Sequence, residues 1–168
     1  AAGGVVLTPL LTPEQQAIAR NIFLRLTELG EGTEDTRRRA EIGELETGSA
    51  EPRAVRQVLT LLADARLITT NQTTAEVAHE ALIREWPRLR EWLNQDRDGL
   101  KLHRSLTEAA HEWEWMERDA GMLYRGARLA QAQEFATANP TLLNAGERTF
   151  LEDDFMFLDK DYGEGDVV

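Results

Sequence analysis

The side chains able to do chemistry are few, and their spacing excludes more than it allows. His79 and Glu80 open like the H-E-x-x-H zinc motif, but position 83 is Ile, so the second histidine ligand is missing. His103 and His111 stand on one expected helix, about 12 Å apart along its axis, too far to share a metal. The chain has no cysteine, which excludes disulfides, thiol catalysis and cysteine zinc sites and fits a reducing, cytoplasmic compartment. It carries no G-x-x-x-x-G-K-S/T run, no G-x-G-x-x-G after a strand and no G-x-S-x-G. Carboxylates abound, but Glu112, Glu114, Glu117 and Asp119 read as a solvated helix face. A paired-acid mechanism also needs a cleft between substantial elements. The expectation is a non-enzymatic chain with no catalytic residue, no metal ligand and no cofactor of its own.

The sharpest constellation is the run from Glu76 to Trp86, EVAHEALIREW. A β-prone stretch hands over to a helix at His79, which places the imidazole near that helix's N-terminus. There it can donate to an anion such as a nucleotide phosphate, or simply cap and pack the corner. Trp86 and Trp113 lie on apolar stripes and read as core. Trp92 and Trp115 lie off them; each either covers a neighbouring helix or marks a contact surface.

The elements that position these residues follow from pattern. Thr12, Pro13 and Gln15 form a capping box with proline at the first helical position, and Ile18, Ile22, Leu26 and Leu29 continue as a stripe to a stop at Gly30. Residues 30–40 are polar and read as a loop. A short helix is expected around Ile42 and Leu45, then a turn at Gly48 and a helix capped by Ser49. That helix buries Val55, Val58, Leu59 and Leu62 and ends near Ala65. Two β-prone runs, at Leu67–Thr70 and Ala75–Ala78, flank the polar turn Asn71–Thr73 and read as a hairpin. Three helices and a hairpin in this order spell a winged helix-turn-helix over residues 12–86, preceded by a linker over 1–11.

Beyond it the chain reads as a helical bundle over 87–152, so the fold class is mainly α. A helix over 80–96 should kink at Pro87, a second should run over 100–118 and a third over 122–138, and Asn144 with Glu147 should open a last short one. Residues 153–168 (DDFMFLDKDYGEGDVV) show no period. They read as a disordered acidic tail, as a segment whose Phe155, Phe157 and Tyr162 fold onto a partner, or as an appended sequence.

Charge narrows the partners. The net formal charge is −11, of which residues 1–90 carry −2 and residues 91–168 carry −9. Such a surface repels phosphate backbones, so nucleic acid is a disfavoured partner. If the winged helix did read DNA, Arg53 and Arg56 would make the contacts. Yet the helix that carries them has no basic excess, and the hairpin over 69–76 has no Lys or Arg. No stretch approaches 18 consecutive apolar residues, so no membrane span is expected, and AAGGVVLTPLL lacks the basic start of a signal peptide.

Distributed over these segments is a resemblance. LTPEQQAIARNIFLRLTELGEGTEDTRRR, VLTLLADARLITT, EVAHEALIREWPRLREWLNQDRDGLKLHRSLTEAAHEWE, LYRGARLAQAQEFA and LNAGERTFLE resemble one region of bacterial STAND-class signal-transduction NTPases, which are related to the NACHT and NB-ARC switches. The resemblance spans about residues 10–152. It implies a winged helix and helical connector lying between a P-loop ATPase core and sensor repeats, often a WD-repeat propeller. It further implies ADP or ATP as the cofactor of the full-length protein, with core and repeats as partners in cis. In such proteins a Met-His-Asp-like motif touches the ADP phosphates. Ala78-His79-Glu80 is similar to it, with Ala for Met and Glu for Asp, which makes His79 and Glu80 the implied nucleotide-sensing residues. The run from Asp153 departs from the family pattern.

Overall fold

The computed structural model describes residues 11–47 and 51–162; the side chains of residues 155–162 lie outside that description. Most of the expected linker, the turn at Gly48, the Ser49 cap, the end of the acidic tail and the side chains of Phe155, Phe157 and Tyr162 therefore fall outside it. The fold is mainly helical with two small antiparallel sheets, and it divides into two compact units, up to Leu100 and from Lys101 onward.

In the first unit α1 (Pro13–Arg25) begins at the expected box: Gln15 N–H donates to Thr12 Oγ1 at 3.2 Å, and Thr12 N–H to Gln15 Oε1 at 3.0 Å. The helix stops short of Gly30, at Arg25. The cause is the next segment: β1 (Thr27–Glu28) pairs antiparallel with β2 (Thr36–Arg37), and Arg38 N–H donates to Leu26 O. The polar loop is thus partly strand. β3 (Ala40–Glu41) and a 3-10 turn over Ile42–Leu45 lead on to α2 (Pro52–Asp64), whose four expected positions are all buried. β4 (Ile68–Thr70) and β5 (Thr74–Val77) form the hairpin in the register Ile68–Val77 and Thr70–Ala75. Asn71 Oδ1 closes its turn by accepting from Thr73 and Thr74 N–H. β3 joins the far edge of β5, giving the order β3-β5-β4.

Pro87 does not kink a helix; it starts one. α3 (Glu80–Glu85) ends as Trp86 turns extended, with ψ 108°, and α4 (Pro87–Gln95) begins with proline at its first position. A residue before proline avoids the helical region, and proline at a helix start loses no bond. The break drives Trp86 inward, where it meets Phe23 edge-on at 5.0 Å and Trp92 at 5.7 Å. A second break falls at Asp96 rather than Gly99. α5 (Arg97–Trp115) starts there, with Gly99 N–H donating to Asp96 Oδ1. A Cβ on Gly99 would collide with that carboxylate, so glycine permits the close approach.

In the second unit α5 ends at Trp115, because Glu117 and Arg118 both adopt left-handed φ, 55° and 60°, and Arg118 N–H turns back to Trp113 O. The helix expected over 122–138 is α6 (Gly126–Ala138), preceded by a 3-10 turn over Ala120–Met122. α7 starts as expected: Glu147 N–H donates to Asn144 Oδ1 at 2.9 Å, and Asn144 N–H to Glu147 Oε1 at 3.1 Å. It then continues to Tyr162 instead of ending near Leu151. The acidic run is helical that far despite its lack of period. A tertiary anchor, not amphipathicity, accompanies the extension: Tyr124 N–H donates to Asp154 Oδ1 at 2.9 Å. Trp113, Tyr124, Leu129 and Phe150 form the core, with Phe150 edge-on to Trp113 and to Tyr124.

Candidate functional site

His79 stands where β5 passes into α3. Ala78 N–H donates to Leu67 O, which holds the strand end on the hairpin, and His79 O accepts from Leu82 N–H to open the helix. His79 itself is extended, at φ −142° and ψ 134°, and its side chain makes no capping hydrogen bond. His79 is exposed, while Val77 on β5 and Ile83 on α3 are buried. Glu80, the second residue of the motif, is half-buried and lies 3.7 Å from Arg84 one helical turn on. Arg84 also meets Glu34 at 2.9 Å.

Arg84 lines an open pocket of about 540 Å³ with Thr33, Glu34, Asp35, Arg90, Asn94 and Arg97. Its floor is the ion cluster of Asp35. This carboxylate is buried, yet both oxygens are engaged: Arg90 donates to Oδ2 at 2.9 Å, and Arg97 spans both oxygens at 2.9 and 2.8 Å. Gly30 N–H adds a third donor, at 2.9 Å to Oδ1. A Cβ on Gly30 would strike the carbonyls of Thr33 and Glu34, so the loop folds this tightly only with glycine there. The Arg97 hydrogen bond leads the causes that hold the Asp35 carboxyl at about 2, against the opposing effect of burial. The result ties the β1–β2 loop to α4 and to the start of α5. Glu44 makes a similar anchor, buried and bidentate with Arg38 at 2.7 and 3.2 Å.

The remaining candidates separate clearly. Trp92 is 7% exposed and packs against Phe23 and Trp86, so it covers a helix and offers no contact surface. Trp115 is 85% exposed. Arg53 and Arg56 are exposed on α2, but Arg56 meets Glu46 at 3.4 Å. Residues 37–39 are three consecutive arginines, and Arg38 and Arg39 are drawn to Glu44 and Glu76. His103 is buried, with Nε2 3.0 Å from Glu147 Oε1 and the ring beside Phe135, whereas His111 is exposed. Among the described residues no group of three His, Asp or Glu can hold a metal ion, and no helix is long and apolar enough to cross a membrane.

Sequence reasoning missed Asp35, Glu44 and Asp154. Asp35 lies in a polar loop, 55 residues before Arg90 and 62 before Arg97, and no local spacing signals such pairs. Asp154 sits in the acidic run, where nothing distinguishes it from Asp153.

The architecture is thus a mainly helical module with an exposed histidine at a hairpin-to-helix junction and a β1–β2 loop braced by two arginines. The chain belongs to the Novel STAND NTPase 1 family, whose model matches residues 5–121. Membership associates it with the STAND class of NTPases. No curated protein and no solved structure matches the chain.

Proposed function

We propose that this chain is a non-catalytic relay within a multidomain STAND-type ATPase switch. Residues 12–86 act as its winged helix and residues 87–152 as its helical connector, coupling nucleotide state to oligomerisation and to sensor repeats such as a WD-repeat propeller, as in NACHT-like switches. One observation supports this above the others: His79 caps α3 with its backbone alone, leaving the imidazole exposed and uncommitted at a helix start. An imidazole so placed can donate to a phosphate oxygen, which suits a sensor of bound ADP. The residues fit the nucleotide as a contact point rather than as a cradle, since the sequence carries no phosphate-binding loop.

In this reading the ADP-bound protein holds the winged helix against the ATPase core through His79, and Glu80 with Arg84 steadies the first turn of α3. Exchange to ATP removes the differential contact and shifts the population toward the assembly-competent state. The Asp35 cluster keeps the loop and helices around the junction in one geometry, so that movement of the junction is transmitted rather than absorbed. A DNA role fits poorly: Arg56 is engaged by Glu46, and the hairpin turn is uncharged.

The test is nucleotide retention by the full-length protein. His79→Ala should release ADP faster and raise basal activity, whereas Arg53→Ala should change neither. Unchanged retention in His79→Ala would remove the sensor role.

A further inference from the structure

We propose that the C-terminal end of α5 is a docking surface for a basic, amphipathic segment of another protein, with Trp115 as its anchor. This proposal is independent of the nucleotide role of His79. Trp113 is completely buried, while Trp115, two residues on, is 85% exposed and its neighbour Met116 is 51% exposed. A partner that covers the indole and the neighbouring thioether removes apolar surface from water and gains free energy by it. Trp115 does not stand alone. Glu108, His111, Glu112 and Trp115 follow helical spacing, and all four are exposed, so they form one solvent stripe on α5.

Charge defines the occupant. Between Glu108 and Asp119 the chain carries five acids and one base, and that base, Arg118, is held by Glu114 at 2.7 Å while its guanidinium lies over the Trp113 ring. Nucleic acid or an anionic membrane would be repelled. A second copy of the chain would bring the same acidic stripe against itself. A neutral apolar helix would strip water from Glu108 and Glu112 without replacing its hydrogen bonds. A segment with Lys or Arg flanking aliphatic side chains satisfies both demands. Its apolar side chains cover Trp115 and Met116, its cations meet the carboxylates, and one of them can lie on the indole face.

The experiment is calorimetric titration of the 168-residue chain with a synthetic amphipathic helix of Leu and Lys, alongside the same peptide with Glu for Lys. The Lys peptide should bind, and the Glu peptide should not. Trp115→Ala should weaken binding at least about tenfold, Trp115→Phe less, and the pair Glu108→Gln with Glu112→Gln about fivefold, while an exposed acid on α3, Glu85→Gln, leaves affinity unchanged. Trp115→Ala should melt at the wild-type temperature, because an exposed ring supports no packing. Failure of the wild type to bind the Lys peptide, equal affinity in Trp115→Ala, equal binding of the Glu peptide, or a lowered melting temperature in Trp115→Ala would each overturn the proposal.

Discussion

Asp35 in the first unit and Asp154 in the second are both buried aspartates, and their surroundings drive them in opposite directions. Asp35 meets two guanidinium groups and a backbone N–H, and its carboxyl is held down at about 2. Asp154 accepts one backbone N–H through Oδ1, and its buried Oδ2 has no hydrogen-bond partner among the described residues. Burial, reinforced by neighbouring Asp153 and only partly offset by the Tyr124 N–H, pushes it up to about 7. Depth alone does not decide whether a carboxylate stays charged; the number and charge of its donors do. The first unit uses an ion cluster to fix a loop. The second carries a carboxyl that is most easily buried with its proton on.

Substitution separates the two cases. Asp35→Asn leaves Arg90 and Arg97 facing a neutral amide in a partly buried cluster. It should destabilise the protein by about 3 kcal/mol in denaturant unfolding, at the low end for a broken buried pair because both arginines keep some access to water. A loss below 0.5 kcal/mol (roughly the surface range) would reduce the cluster to a solvated contact.

The pH dependence has opposite signs at the two sites. The folded pKa of Asp35 is depressed, so its contribution is present above about 4 and is lost as pH falls toward 2. The folded pKa of Asp154 is raised, so its contribution is present below about 4 and is lost as pH rises through 7. Wild-type stability should therefore fall by on the order of 2 kcal/mol across the upper window, and Asp154→Asn should abolish that fall while leaving the acid limb intact. An unchanged upper limb in Asp154→Asn would show that Oδ2 is solvated.

Helix caps extend the contrast at smaller scale. Asn144 is buried and shares Glu147 with Thr107, whereas Thr12 caps α1 at the surface. Asn144→Ala should cost about 2 kcal/mol and Thr12→Ala about 1 kcal/mol. Equal losses would mean that burial adds nothing to the cap.

Local signals were readable from the sequence, and long-range ones were not. The capping pairs Thr12–Gln15 and Asn144–Glu147, the buried stripe of α2 and the hairpin around Asn71 each lie within one window of pattern. So does the junction that presents His79, which made the candidate site legible before its supports were. The early end of α1 depends on pairing with residues 36–37, and Trp92 is buried because the break at Trp86 turns both rings toward Phe23. α7 runs on to Tyr162 beside an aspartate whose partner is 30 residues away. Each of these depends on a contact that neither composition nor periodicity encodes.

The relay reading depends on His79. The most direct measurement is the rate of ADP release from the full-length protein, compared between wild type and His79→Ala with the fold verified by an unchanged melting temperature in the absence of nucleotide. Release accelerated by about tenfold, the effect of losing one charge-assisted hydrogen bond to phosphate, is the predicted result. Identical release rates would contradict it.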